Sequence, residues 1–352
     1  MKVLMIGVDK STGGGMWSVA RNYLGNAEFC RAAQLKYIPT SITGAVPSRL
    51  FFTAKAFLNI ISALIAGKYD IVHVHMAEKG SVFRKGIVIL LAILFRCMVL
   101  LHMHGATFED WYSSSPRAVQ TVVRRIVNKA DRVVILGEYW KPFISSLLYS
   151  PDKLSVVYNA VRTPDANPYN PDARCFLFLG VAGKRKGIYD LLDAVSMADK
   201  YLAEDVRLWI CGPDECHIER EIEKRSLLHR VEYKGWMSPE HMPECFRNIA
   251  INVLPSYNEG LPMTILETMA WGIPNISTAV AAIPEAVNNE NGILTVPGDV
   301  SGLCRAMIAL SSDRNLRLKK SSLAYETIKD RFSLNTHFAH ILELYKELES
   351  IR

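Results

Sequence analysis

Two glutamates eight positions apart, Glu259 and Glu267, stand around the turn residues Gly260 and Pro262 in YNEGLPMTILETMAWGIP, residues 257–274. A carboxylate accepts hydrogen bonds in pairs, so it suits the hydroxyls of a sugar or a ribose. Acids near a helix start also favour the helix dipole, and a glutamate on a helix is commonly just solvated. Pro262 suits the first helical position, because its missing N–H has no partner to lose. The N–H groups of Met263 and Thr264 are then open to a phosphate. One carboxylate before the helix and one on its second turn would flank that phosphate, and the ligand implied is a nucleotide diphosphate sugar.

Three cations in a row, Lys184, Arg185 and Lys186, lie in FLGVAGKRKGIYDLLDA where a helix is expected to start. Cations disfavour a helix N-terminus. Their presence there makes sense if a polyanion such as a diphosphate shares the site, the alternative being a solvated basic loop. Near the start of the chain, DKSTGGGMWSVARNYL places Gly13, Gly14 and Gly15 ahead of another helix. Glycine allows close backbone approach and the helix start offers N–H groups to an anion, although a plain turn reads the same way. Neither GxGxxG nor a GK[ST] phosphate loop is present. Two HxH pairs, His73/His75 and His102/His104, end strands, and alternation puts each pair on one face. A four-histidine metal site is therefore conceivable. The reading adopted is no metal, because a supporting Asp/Glu ligand pattern is missing and Asp70 begins its strand. His104, followed by Gly105, is read as an imidazole facing a cleft.

These groups need elements to carry them. Short β-branched runs at 2–8, 71–75, 99–104, 132–136 and 154–159 alternate with helical stretches, and the pattern restarts at 175–181, 206–212, 231–236 and 250–255. Such alternation predicts parallel sheets covered by helices. RTPDANPYNPDAR, residues 162–174, reads as a linker. Two doubly wound α/β domains are expected: an N-terminal one over 1–167 and a C-terminal one over 168–335. A last helix from about 336 is expected to pack back on the first, with Phe338, Ile341, Leu342, Leu344 and Tyr345 at helical spacing. Ligands of such folds bind outside the carboxyl ends of strands, here in a cleft between the domains.

Composition narrows the partners. At 352 residues and 49% hydrophobic, the chain can bury full cores. Its seven cysteines lack a CxxC pair, which points to a reducing cytoplasm. The net charge of +6 is uneven: residues 1–165 carry 20 Lys and Arg against 10 Asp and Glu, and the rest is acidic. A basic half suggests an anionic partner. No dense basic run or binding motif supports nucleic acid. A membrane surface fits better, since RLFFTAKAFLNIISALIAGK (49–68) and FRKGIVILLAILFR (83–96) set Lys55, Arg84, Lys85 and Arg96 beside apolar segments. Read alone, both segments favour ordinary core helices. The run GIVILLAILFRCMVLL is broken by Arg96 short of a bilayer span, so a soluble or peripheral protein is expected.

With these motifs in order, the chain resembles the retaining glycosyltransferase family 4, whose members have the GT-B fold of two Rossmann-like domains with an interdomain cleft. Its most specific element is E-x7-E, Glu259 to Glu267; GGM (14–16), HG (104–105), YNAV (158–161), KG (186–187), CGPD (211–214) and NGILTVPGD (291–299) follow the family order. The resemblance implies that Glu259 binds donor-sugar hydroxyls and Glu267 the ribose, with the backbone of Gly260, Leu261, Pro262 and Met263 lining sugar and phosphate through the N–H groups of its non-proline residues. It implies that Lys186, Arg185 and the Gly14–Gly15 turn hold the diphosphate, that His104 contacts the sugar, and that Gly235 and Trp236 face the base. His104, Lys186 and Glu259 would be the catalytic residues. Where the family commonly has an arginine after the strand-end glycine, this chain has Val181, so Arg185 or Lys184 supplies that charge or phosphate binding is weaker.

DIVHVHMAEKGSVFRKG and VLLHMHGATFEDWY resemble transferases that build bacterial capsule, exopolysaccharide or O-antigen units on a polyprenyl diphosphate carrier. The expected activity is transfer of a hexosyl group from a UDP- or GDP-sugar to a hydroxyl of such a lipid-linked glycan, with retention, at the inner face of the cell membrane. No metal or other cofactor is expected. The alternatives are another GT-B activity or a non-catalytic sugar- or lipid-binding subunit. A dinucleotide-dependent oxidoreductase is disfavoured by the missing GxGxxG.

Overall fold

The computed structural model describes residues 1–351. The chain forms two compact units, one of Met1–Asn159 with Leu334–Arg352 and one of Ala160–Ser333. Each is built on a six-stranded, all-parallel sheet.

The first unit contains β1 (Val3–Gly7), β2 (Lys36–Pro39), β3 (Ile71–Met76), β4 (Met98–Met103), β5 (Arg132–Ile135) and β6 (Leu154–Val156), in the order β2-β1-β3-β4-β5-β6. Every residue of β1 and β3 is buried, as expected of strands with helices on both faces. Unforeseen from sequence, β2 is an edge strand whose Pro39 ends it without breaking a central ladder. β6 stops at Val156 rather than running to residue 159. The last helix, Leu334–Ile351, belongs to this unit and buries His337, Phe338, Ile341, Leu344, Tyr345 and Leu348.

The second unit contains β7 (Cys175–Leu179), β8 (Leu208–Cys211), β9 (Val231–Gly235), β10 (Ile249–Leu254), β11 (Asn275–Thr278) and β12 (Gly292–Thr295). Its order, β12-β11-β10-β7-β8-β9, is the Rossmann arrangement, in which the winding direction reverses between the first and fourth strands. Here those are β7 and β10. β11 and β12 escaped the sequence reading because each is four residues long and β11 is rich in buried polar side chains, Asn275, Ser277 and Thr278.

The unit change falls at Asn159/Ala160, ahead of the expected 167/168. The proline-rich stretch is no free linker: Tyr325 Oη donates to the Pro164 carbonyl at 2.6 Å, and Tyr169 Oη to the Ala250 carbonyl at 3.0 Å. Both bonds hold it on the second unit.

Two helices depart from the core reading. Val46–Gly67 buries only Ala56, Ile60, Ala63 and Leu64, leaving Phe51 74%, Leu58 68% and Ile65 67% exposed. Gly80–Leu94 buries one stripe and exposes Phe83, Ile87, Leu90 and Leu94 along another. Among the described residues, Val46–Gly67 is the one helix long and apolar enough to cross a membrane by length and composition. Lys85, placed by sequence beside that apolar surface, is instead wholly buried and donates to the Gly7 carbonyl at 3.0 Å and Thr40 Oγ1 at 2.7 Å.

Candidate functional site

In the second unit, the loops after β7 and β10 leave adjacent strands at the reversal point and meet. Lys184–Lys186 forms a 3-10 turn rather than the start of a helix, and the helix begins only at Ile188. The reason is Gly187, whose φ of +71° breaks the helical path. A Cβ there would also lie 2.0 Å from the Pro255 carbonyl oxygen, so glycine lets the turn press on the end of β10. The Tyr257 N–H donates to the Arg185 carbonyl at 2.8 Å and seals the two loops together.

Inside that junction Lys186 Nζ reaches Glu259 Oε1 at 2.5 Å, with the two side chains 12% and 6% exposed. Ser256 Oγ donates to the same oxygen at 2.6 Å. Arg185, outside the helix and half-exposed, donates from Nη1 to the Asn258 carbonyl at 2.8 Å and lies 3.7 Å from Glu259 Oε2. Lys184 is exposed. Two of the three predicted cations thus converge on the first glutamate of the pair. Ser256 was missed by the sequence reading. Its only signal was a serine three residues ahead of the acid at a strand end.

The helix Met263–Ala270 follows at once. Pro262 is its N-cap, one position earlier than expected, and its carbonyl takes the first bond from Ile265 at 3.2 Å. The N–H groups of Met263 and Thr264 precede that ladder, which leaves a partial positive charge at this end. Thr264 Oγ1 is buried without a hydrogen-bond partner in the same turn. Glu267 sits one turn further along, half-buried. Gly235 closes β9 with φ +66°, and Trp236 beyond it is 66% exposed, at the far edge of the sheet.

Gly14, Gly15 and His104 belong to the first unit. Gly13 and Gly14, the N-cap and first residue of the helix Gly14–Leu24 that follows β1, take φ of +59° and +68°, with open space where a side chain would stand. His73 and His75 on β3, His102 on β4 and His104 just past β4 form one stacked group, with His75 paired across the ladder to His102. His75 Nδ1 and His104 Nε2 are 2.8 Å apart. Burial, with the neighbouring His337 second, pushes His104 down to about 3, so its imidazole is neutral at pH 7. Burial likewise holds His73, His75 and His102 well below the ordinary histidine value. His104 can share a hydrogen bond with a sugar. It is not a source of positive charge.

Comparison with known proteins bears on the family and the fold. The family model for glycosyl transferases group 1 matches residues 162–327, and that for a glycosyl transferase 4-like domain matches residues 20–160. The chain is a glycosyltransferase of this family-4 type, with the GT-B fold. It is 24% identical over 315 residues to the UDP-Gal:alpha-D-GlcNAc-diphosphoundecaprenol alpha-1,3-galactosyltransferase of Escherichia coli, covering 84% of this chain and 79% of that one. An uncharacterized 41.2 kDa protein in the cps region of Klebsiella pneumoniae is 24% identical over 308 residues, 81% and 83% of the two chains. Among solved structures, sucrose-phosphate synthase from Thermosynechococcus elongatus superposes with a TM-score of 0.82 at 18% identity, covering both chains fully. Anabaena HepE, solved with UDP and glucose, gives 0.75 at 17% identity over 99% of this chain and 100% of that one.

Proposed function

We propose that this glycosyltransferase takes a hexosyl group from a UDP- or GDP-sugar and places it, with retention, on a hydroxyl of a polyprenyl-diphosphate-linked glycan during assembly of a bacterial surface polysaccharide. The observation that carries the reading is the Lys186–Glu259 pair at the reversal point of the second sheet, beside the open start of the Met263–Ala270 helix. The name of the E. coli relative supports the acceptor, and the cps region of the K. pneumoniae relative supports the pathway.

Lys186 and Arg185 offer positive charge where a leaving diphosphate gains negative charge, and the helix start adds its N–H groups. Stabilising that charge more in the transition state than in the ground state is what accelerates departure of the sugar. Glu259 then takes the sugar hydroxyls and Glu267 the ribose, while Gly260 to Met263 line the sugar and phosphate. The site motifs offer no obvious carboxylate nucleophile for double displacement, so retention follows front-face substitution, with the leaving diphosphate accepting the acceptor proton. Gly14, Gly15, His104, Gly235 and Trp236 keep the roles that the family resemblance assigns them. The transfer requires no metal or organic cofactor. The exposed apolar face of Val46–Gly67 and Gly80–Leu94 rests on the inner face of an anionic membrane.

A thermal-shift panel of UDP, GDP, ADP and CMP identifies the base, since ligand at 100 times Kd stabilises by about 2.7 kcal/mol. Incubation of the matching α-linked sugar nucleotides with a polyprenyl-diphosphate sugar, and NMR of the product, reads the anomeric outcome. An inverted product, or no transfer from any nucleotide sugar that binds, would overturn the reading.

A further inference from the structure

The first unit holds a buried group of imidazoles that sugar transfer, apart from His104, does not use. His73, His75 and His102 are 0%, 1% and 0% exposed. One ring nitrogen of each lies within 4.8 Å of those of the other two. The closest observed pair, His73 Nε2 and His102 Nδ1, is 3.3 Å apart. That is about the nitrogen–nitrogen edge of a tetrahedron with metal–nitrogen bonds of about 2.0–2.1 Å. Nε2 of His75 is buried without a hydrogen-bond partner. A native core rarely leaves such an atom unpartnered, because it forgoes about 1–3 kcal/mol of solvation.

We propose that His73, His75 and His102 bind one divalent transition-metal ion of the zinc class, joining β3 to β4 beneath His104. Imidazole nitrogens select Zn(II), Co(II), Ni(II) or Cu(II) over Mg(II) and Ca(II), which prefer oxygen. The outer contacts fit the role. A metal-bound histidine usually anchors its second ring nitrogen. Here Tyr345 Oη lies 2.6 Å from His73 Nδ1, and His104 Nε2 lies 2.8 Å from His75 Nδ1. These anchors leave Nε2 of His73 and of His75 to face the ion, with Nδ1 of His102 as the third ligand atom. Tyr345 lies on the Leu334–Ile351 helix, so the ion also ties that helix to the sheet. The ion touches no reacting atom; it serves the stability of the first unit and holds His104 through His75.

The test uses the full chain after chelator treatment and exchange into chelator-free buffer. Titration with Co(II) is expected to give the visible d–d absorption of a nitrogen-rich four-coordinate site, saturating at one equivalent and displaced by Zn(II). Zn(II) should raise Tm. His102→Gln and His75→Gln should each abolish the absorption. Tyr345→Phe, which keeps all three ligands, should weaken affinity by about 10–100-fold, the usual effect of losing an outer contact. Melting in chelator checks that each variant folds; if the glutamine variants do not, the wild-type spectrum and Tyr345→Phe still decide. No Co(II) absorption in the wild-type chain would overturn the proposal. So would metal binding unchanged in the folded glutamine variants, which would place it on surface histidines such as His217, His229 and His241.

Discussion

Glu259 is held before any sugar arrives, by Lys186 at 2.5 Å and Ser256 at 2.6 Å. A donor bound as proposed exchanges this closed pair for two new ones, lysine to diphosphate and carboxylate to sugar. Removing one member of such a pair outright leaves a largely buried charge, at a cost of about 3–5 kcal/mol. Glu259→Gln is therefore the cleaner variant. It should leave affinity for the free nucleoside diphosphate equal or higher, because it frees Lys186, while lowering turnover of the sugar nucleotide by about tenfold or more. Glu267→Ala should do the opposite and weaken the free nucleotide by about 1.5–3 kcal/mol, the scale of a charge-assisted hydrogen bond. Calorimetry with the nucleotide and single-turnover kinetics separate the two. Equal nucleotide loss in both variants would merge the roles assigned to the two acids.

At the scale of elements, the 3-10 turn Lys184–Lys186 decides which cations reach the site. Neighbours on an α-helix diverge by about 100°, so a helix here would have turned Arg185 away from the face of Lys186. The turn, stopped by Gly187, brings both toward Glu259 and leaves Lys184 outside. Arg185→Ala should lower kcat by about tenfold, or about 1.4 kcal/mol, with less effect on KM, while Lys184→Ala changes little. The reverse order in steady-state kinetics would make Lys184 the substitute for the arginine absent at Val181. The exposed helices carry a second expectation at this scale. Phe51, Leu58 and Ile65 face outward near the exposed Arg49 and Lys55, so the chain should sediment with anionic vesicles. Each basic residue near the surface contributes about 1 kcal/mol. Binding should fall with added salt and with Leu58→Asp plus Ile65→Asp. Equal recovery in the supernatant with neutral and anionic vesicles at low salt would refute it.

The whole molecule should show acid lability that originates in one unit. His73, His75, His102, His104 and His337 are all lowered chiefly by burial, His104 to about 3 and His337 to about 4. They face Tyr23 and Tyr345, both raised by burial and so neutral, and Lys85 opposes a charge on His75. The unfolded chain takes up protons near pH 6.5, before the folded one can. The stabilisation is thus fully present above about pH 6.5 and drains as pH falls toward about 4. Urea midpoints of the metal-free chain should drop steeply between pH 7 and pH 5. A flat midpoint across that range would mean that the folded chain already carries those protons.

The alternation of short apolar runs with helical stretches was enough to announce parallel sheets, because strand and helix periodicity are local properties. Glu259, Gly260 and Glu267 could be read for the same reason, since one turn and one short helix carry all three. β2, β11 and β12 were not readable: each is only four residues long, and the proline of β2 and the buried polar side chains of β11 look like loop until a neighbouring strand pairs with them. Distance along the chain set the other limit. Lys186 and Glu259 are separated by 73 positions, and His73 and Tyr345 by 272, so no local pattern announces either contact. Nor does composition distinguish an apolar helix that is covered from one that is bare, because burial depends on what the rest of the chain brings against it. Lys85 reads as a surface charge beside an apolar segment, and only the packing of β1, β2 and the Gly80–Leu94 helix turns it inward onto Gly7 and Thr40.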